Sequence, residues 1–160
     1  MKSKQIAVSV VFATLYVVLG FAFQPLSFEA WQLRIACSIV PLLFFGGYPA
    51  LLGLTVGHFI FNLTSPFLPW DLLSPIVFVP ARIAIMKYGF KAVPFHVLSV
   101  AVWVSLIIQL HSGTFVWPIF IAVAISVGIG EGIVELVLGR LVYLEVERRE
   151  WLSSLFQDSD

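Results

Sequence analysis

A succession of long apolar runs, with hardly a charge inside them, covers almost everything from residue 5 to residue 143. Only 11% of the 160 residues are charged, 60% are hydrophobic, and mean hydropathy is +1.02. A water-soluble domain of that composition would expose an aggregating surface. The chain is therefore read as an integral membrane protein. The runs are continuous rather than alternating at every second residue, which argues against a membrane β-barrel. That leaves helices, whose backbone groups are satisfied within each segment. Nine Lys and Arg balance nine Asp and Glu, so there is no basic footprint for nucleic acid. A single cysteine, Cys37, excludes a disulfide within the chain and a cysteine metal cluster, and reads as a small buried apolar residue.

A membrane crossing needs about 20 apolar residues, fewer when neighbours help. Six candidates emerge, at 5–23, 35–45, 50–63, 72–86, 94–110 and 115–143. The second and third could merge, but Gly46-Gly47-Tyr48-Pro49 between them is a strong helix break. With six crossings, Lys2, Lys4, Arg82, Lys87, Lys91, Arg140, Arg148 and Arg149 fall on or near one side, and only Arg34 on the other. The positive-inside rule makes the first side cytoplasmic. The expected fold is an all-α integral membrane protein in the cell membrane. It is a six-transmembrane-helix bundle forming one domain over 1–160, with both termini cytoplasmic and a short charged tail from about residue 145. Lys2 and Lys4 precede an apolar stretch as in a signal peptide. The stretch is long and no small-residue cleavage site follows, so an uncleaved first helix is expected. Pro75 and Pro80 are expected to kink or break the fourth helix.

Against this background the polar residues stand out. The stretch SFEAWQLRIACSIVP, 27–41, places Glu29, Gln32 and Arg34 beside Trp31 at the outer mouth of the second helix. NLTSPFLPWDLL, 62–73, and LHSGTFVWP, 110–118, face the same way, so Trp31, Trp70 and Trp117 are candidates for an interfacial aromatic belt. Glu131 and Glu135 are four apart and share a helix face. Nine residues at about 1.5 Å each put Glu131 roughly 13 Å inward from Arg140, near the midplane. A carboxylate at that depth is a functional candidate by default. Glu135, nearer the cytoplasm, reads as a structural partner of Arg82 or Arg140. His58 and Asn62 share a face leading to the loop that holds Asp71. Ser9 with Ala13, and Gly128 with Gly132, are small residues four apart, suited to close packing inside the bundle or to a partner helix.

Catalytic signatures are scarce. His58, His96 and His111 lack metal-ligand spacing, no serine sits in a nucleophile elbow, and no glycine-rich phosphate loop is present. The expectation is no metal, no cofactor and no ATP hydrolysis by this chain.

ATLYVVLG at 13–20, PLSFEAWQLRIA at 25–36, NLTSP and LPWD within 62–71, and GIGEGIVELVLG at 128–139 together resemble the QueT family in order and spacing. These are queuosine-precursor substrate-binding subunits (S components) of energy-coupling factor transporters. The matching positions are Ser27, Phe28, Gln32, Arg34 and Ile35; then Asn62, Ser65, Pro66 and Asp71; then Gly130 and Glu131. The resemblance covers most of the chain. It implies a six-helix bundle that binds a queuine-type 7-deazaguanine base near the outer face. It also implies a transmembrane coupling protein and two cytoplasmic ATPases as partners. The docking pair on the first helix would be Ser9 and Ala13.

The residues are consistent with such a ligand. Trp31 or Trp70 would offer a ring face. Glu131 or Asp71 would accept from the base's N–H/NH2 edge, and Gln32, Arg34 or Asn62 would donate to its carbonyl. Glu29 and His58 complete the expected site. Convergent polar groups in an apolar concavity are the usual form of a small-molecule site. Other readings stay open: an S component for another vitamin or base, a membrane enzyme using Glu131 and Glu135 as paired acid and base, or an assembly protein with no ligand.

Overall fold

The structure is a computed structural model describing residues 2–29 and 32–149. The described residues are mostly helical, with no strand among them. Eight α-helices follow in order: α1 (Ser3–Ala22), α2 (Gln24–Ser27), α3 (Leu43–Asn62), α4 (Ser74–Val77), α5 (Val79–Tyr88), α6 (Val93–Ser112), α7 (Trp117–Gly132) and α8 (Gly139–Arg148). A 3-10 helix, Ile35–Leu42, leads into α3, and a π-helical segment, Ile133–Leu138, joins α7 to α8. Four stretches are long and apolar enough to cross a membrane: Ser3–Ala22, Ile35–Asn62, Trp70–Ser112 and Trp117–Arg148.

Two of those four stretches are interrupted internally in the same way. Gly47 has φ 56° and ψ −149°, and Gly89 has φ 64° and ψ −147°. That backbone region is essentially confined to glycine, because a Cβ would clash there. The break expected at 46–49 thus falls on Gly47. The second lies in the sequence Tyr88-Gly89-Phe90, between the fourth and fifth expected helices. Prolines punctuate the rest. Each of α2, α4, α5, α6 and α7 carries a proline in its first turn, where the missing N–H costs nothing. Pro75 and Pro80 therefore open short helices and divide the fourth expected segment, rather than bending one continuous helix.

Packing follows residue size. α1 lies along α3, α6 along α7, and α8 against the 3-10 segment Ile35–Leu42. The α1–α3 approach is set by Gly53 and Gly57, which face the backbone oxygens of Ser9 and Ala13 so closely that a Cβ would not fit. Phe12 and Tyr16 on the same α1 face are buried. The outward side chains of α1, among them Ile6, Val10 and Val18, are apolar and exposed, as lipid contact requires. At the Gly47/Gly89 end, Arg140 lies 4.6 Å from the Phe90 ring centroid and 5.7 Å from that of Tyr143.

Candidate functional site

The centre of the bundle is polar. Gln32, Arg34, His58, Asn62, Asp71, Ser74, Arg82, His96, Glu131 and Glu135 are all buried. Desolvated polar groups must find partners within the protein or in a ligand. Three connected groups account for most of them.

Asp71 organises the first. Asn62 donates from Nδ2 to the Asp71 carbonyl at 2.8 Å and to its Oδ1 at 3.0 Å. The Ser74 hydroxyl donates to the same oxygen, and Trp103 Nε1–H donates to Ser74 Oγ. Arg34 Nη2 stands 3.9 Å from Asp71 Oδ2. His58 organises the second. Arg34 Nη1 is 2.9 Å from its Nε2, and Arg82 Nη2 is 2.9 Å from its Nδ1. The third is a closed pair, His96 Nδ1 with Glu135 at 2.8 and 3.0 Å.

Glu131 belongs to none of them. It is fully buried, and neither of its oxygens has an N–H or O–H donor among the described residues; the Cys37 thiol, a weak donor, stands beside it. Its neighbours include Cys37 and Glu135, whose ligand atoms lie with its own within 4.8 Å of one another. These three side chains could in principle hold a metal ion. Glu135 is already held by His96, however.

A pocket of about 330 Å³ is lined by Phe28, Glu29, Gln32, Phe67, Ile108, Ala122, Val123, Ser126 and Val127; Glu131 is not among its lining residues. It is apolar with a few polar groups, the form that suits a small flat molecule. Gln32 is buried on its wall with φ 44°, a strained conformation for a residue with a side chain, and its Oε1 has no partner among the described residues. Glu131 is four residues, one helical turn, beyond Val127.

The sequence-predicted residues divide accordingly. Glu29 and Gln32 line the pocket. Arg34, His58, Asn62, Asp71 and Glu131 form the buried layer. Trp70, 38% exposed, does not line the pocket, whose aromatic rings among the described residues are Phe28 and Phe67. Trp31 lies outside the described residues. Asn62 has its amide nitrogen bound to Asp71, so it holds the loop in place rather than offering a donor. Ser9 and Ala13 are half-buried against α3, and the Ser9 hydroxyl donates to the Pro49 carbonyl at 2.8 Å. With Val10, Leu52, Gly53 and Val56 they border a surface hollow of about 190 Å³.

Glu135 pairs with His96 rather than with Arg82 or Arg140. Arg82 is fully buried and meets His58, so it is not a loop charge. His96 and Arg82 went unassigned as site residues. The signal that could have found Arg82 was its position inside an apolar run, where an ionisable residue is functional by default.

No curated protein and no solved structure matches the chain. A family profile described as QueT transporter matches residues 6–148. The chain belongs to the QueT transporter family, and so is a non-catalytic, substrate-binding component of a membrane transporter.

Proposed function

We propose that this protein captures a 7-deazaguanine base, queuine or a queuosine precursor, from outside the cell and delivers it to an ATP-driven energy-coupling factor importer. Glu131 carries the reading. A fully buried carboxylate with no N–H or O–H donor among the described residues is costly in a membrane interior. A ligand presenting an N–H/NH2 edge would satisfy both oxygens at once. The pocket supports the same reading, with Phe28 and Phe67 available to the ring faces and Gln32 on its wall. Arg34, His58 and Asp71 then orient the polar layer, with Glu29 on the pocket wall.

The breaks at Gly47 and Gly89 divide the four apolar stretches into six segments, in keeping with six crossings in a single bundle. With Arg34 and Arg82 drawn into the interior, the remaining basic residues are Lys2, Lys4, Lys87, Lys91, Arg140, Arg148 and Arg149. They all fall on one side in that arrangement, which is the cytoplasmic side with both termini. A transmembrane coupling protein and two ATPases supply the motion and the energy, and the Ser9/Ala13 face of α1 is the surface offered to the coupling protein.

The test is thermal stabilisation of the detergent-purified protein by queuine, its aminomethyl and cyano precursors, guanine, adenine, riboflavin, biotin and thiamine. A true ligand at a hundredfold its dissociation constant adds about 2.7 kcal/mol. Stabilisation by the deazaguanines alone is expected. Stabilisation by a different vitamin, or by nothing in the panel, overturns the substrate.

A further inference from the structure

The wall of the pocket carries charge of one sign. Among the described residues that line it, Glu29 alone is ionisable and none is basic. The others are apolar apart from the Gln32 amide and the Ser126 hydroxyl. Glu29 is exposed at the mouth, and no basic group or hydrogen-bond donor pairs with its carboxylate among the described residues. Arg34 comes within 5.8 Å of the Phe28 ring centroid. It is buried, does not line the pocket, and turns its guanidinium nitrogens to His58 and Asp71.

A carboxylate on an apolar cleft acts more strongly than one on an open surface, because low-dielectric walls focus its field. Phe28 and Phe67 on the same wall add to it, since an aromatic ring attracts a cation over its face. An anionic substituent on a bound ring would meet Glu29 with no basic lining residue to offset it. A neutral substituent would leave Glu29 to water. A cationic substituent gains from the carboxylate and from both rings.

We infer that Glu29 is a specificity-determining residue that selects bases carrying a protonated amine on a side arm. The inference rests on the capture reading above and narrows it. Queuine and the aminomethyl precursor carry such an amine, which is protonated at pH 7, and the cyano precursor does not. The arm sits on the five-membered ring of a 7-deazaguanine, whereas the N–H/NH2 edge assigned to Glu131 belongs to the six-membered ring. The two carboxylates therefore read different parts of one molecule.

The experiment measures equilibrium binding of 7-aminomethyl-7-deazaguanine and 7-hydroxymethyl-7-deazaguanine to the full-length protein in detergent, for the wild type and for Glu29→Gln. The two bases differ only in an ammonium against a hydroxyl. The wild type is expected to prefer the cationic base by about fivefold, the upper range for an ion pair open to water. That preference shrinks as ionic strength is raised to about 1 M, where such a pair is screened. In Glu29→Gln the preference is lost. An undiminished preference in a folded Glu29→Gln protein overturns the role of Glu29 and leaves capture standing. Equal affinity of the wild type for the two bases also overturns the selectivity, with no variant needed, and leaves capture standing. Binding of neither base by the wild type overturns both.

Discussion

At the scale of single residues, the interior separates into groups that are satisfied and groups that are not. His96 Nδ1 and the Glu135 carboxylate hold each other in the core, while His96 Nε2 has no partner among the described residues. Removing one strands the other. His96→Ala is expected to lower stability by about 3–5 kcal/mol, while the double substitution His96→Leu/Glu135→Leu recovers most of that loss. Thermal unfolding in detergent checks both, and a double variant no more stable than the single one refutes the pairing. Glu131 is the counterpart with no such closure. Its depth was legible in the sequence, because an apolar run and a distant Arg140 bracket it. The identity of the Glu135 partner was not, because His96 is 39 residues away and only packing of α6 against the last helix brings the two together. The engagement of the Asn62 amide nitrogen by Asp71 was hidden for a similar reason: the spacing from His58 fixes the face Asn62 occupies, but not its partner.

At the scale of elements, glycine decides how closely the helices approach. Gly53 and Gly57 let α1 lie against α3 with no room for a side chain between them, whereas Gly132 has nothing within 4 Å of where a Cβ would stand. Gly53→Val is expected to destabilise by about 1–3 kcal/mol through overpacking. Gly132→Ala is expected to be neutral or slightly stabilising, since alanine is the better helix former. Equal thermal unfolding of these two variants would contradict the α1–α3 contact. Helix ends were predictable to within a few residues wherever glycine or proline marks them. The first, fifth and sixth segments begin and end near their expected limits. The 3-10 character of Ile35–Leu42 and the π-segment at Ile133–Leu138 were not predictable, since both arise where the polar layer must be accommodated and neither alters the apolar pattern.

At the scale of the whole molecule, composition alone settles that the chain is a helical membrane protein, and the order of short motifs pointed to the family. The proposed count of six crossings rests on breaks at two glycines, Gly47 and Gly89, that composition does not see. Single cysteines placed at Lys91 and Thr114 in a Cys37→Ser background test it in whole cells. Six crossings predict that a membrane-impermeant thiol reagent labels position 114 from outside and reaches position 91 only after the membrane is opened. Labelling of both from outside contradicts the topology. The same frame explains why the sequence led to Trp31 and Trp70 as ring partners. Tryptophan is the expected residue at an interface; among the described residues the pocket's rings are Phe28 and Phe67, which local pattern does not distinguish from any other core phenylalanine.

The most direct test of the account is the affinity of queuine for the wild type and for Glu131→Gln, measured by titration calorimetry in detergent. Glutamine keeps the shape of the side chain but replaces one acceptor oxygen with a donor. The predicted result is a folded variant that binds queuine more weakly by about 1–3 kcal/mol. An unchanged dissociation constant in a folded Glu131→Gln protein would contradict the claim that this carboxylate receives the base.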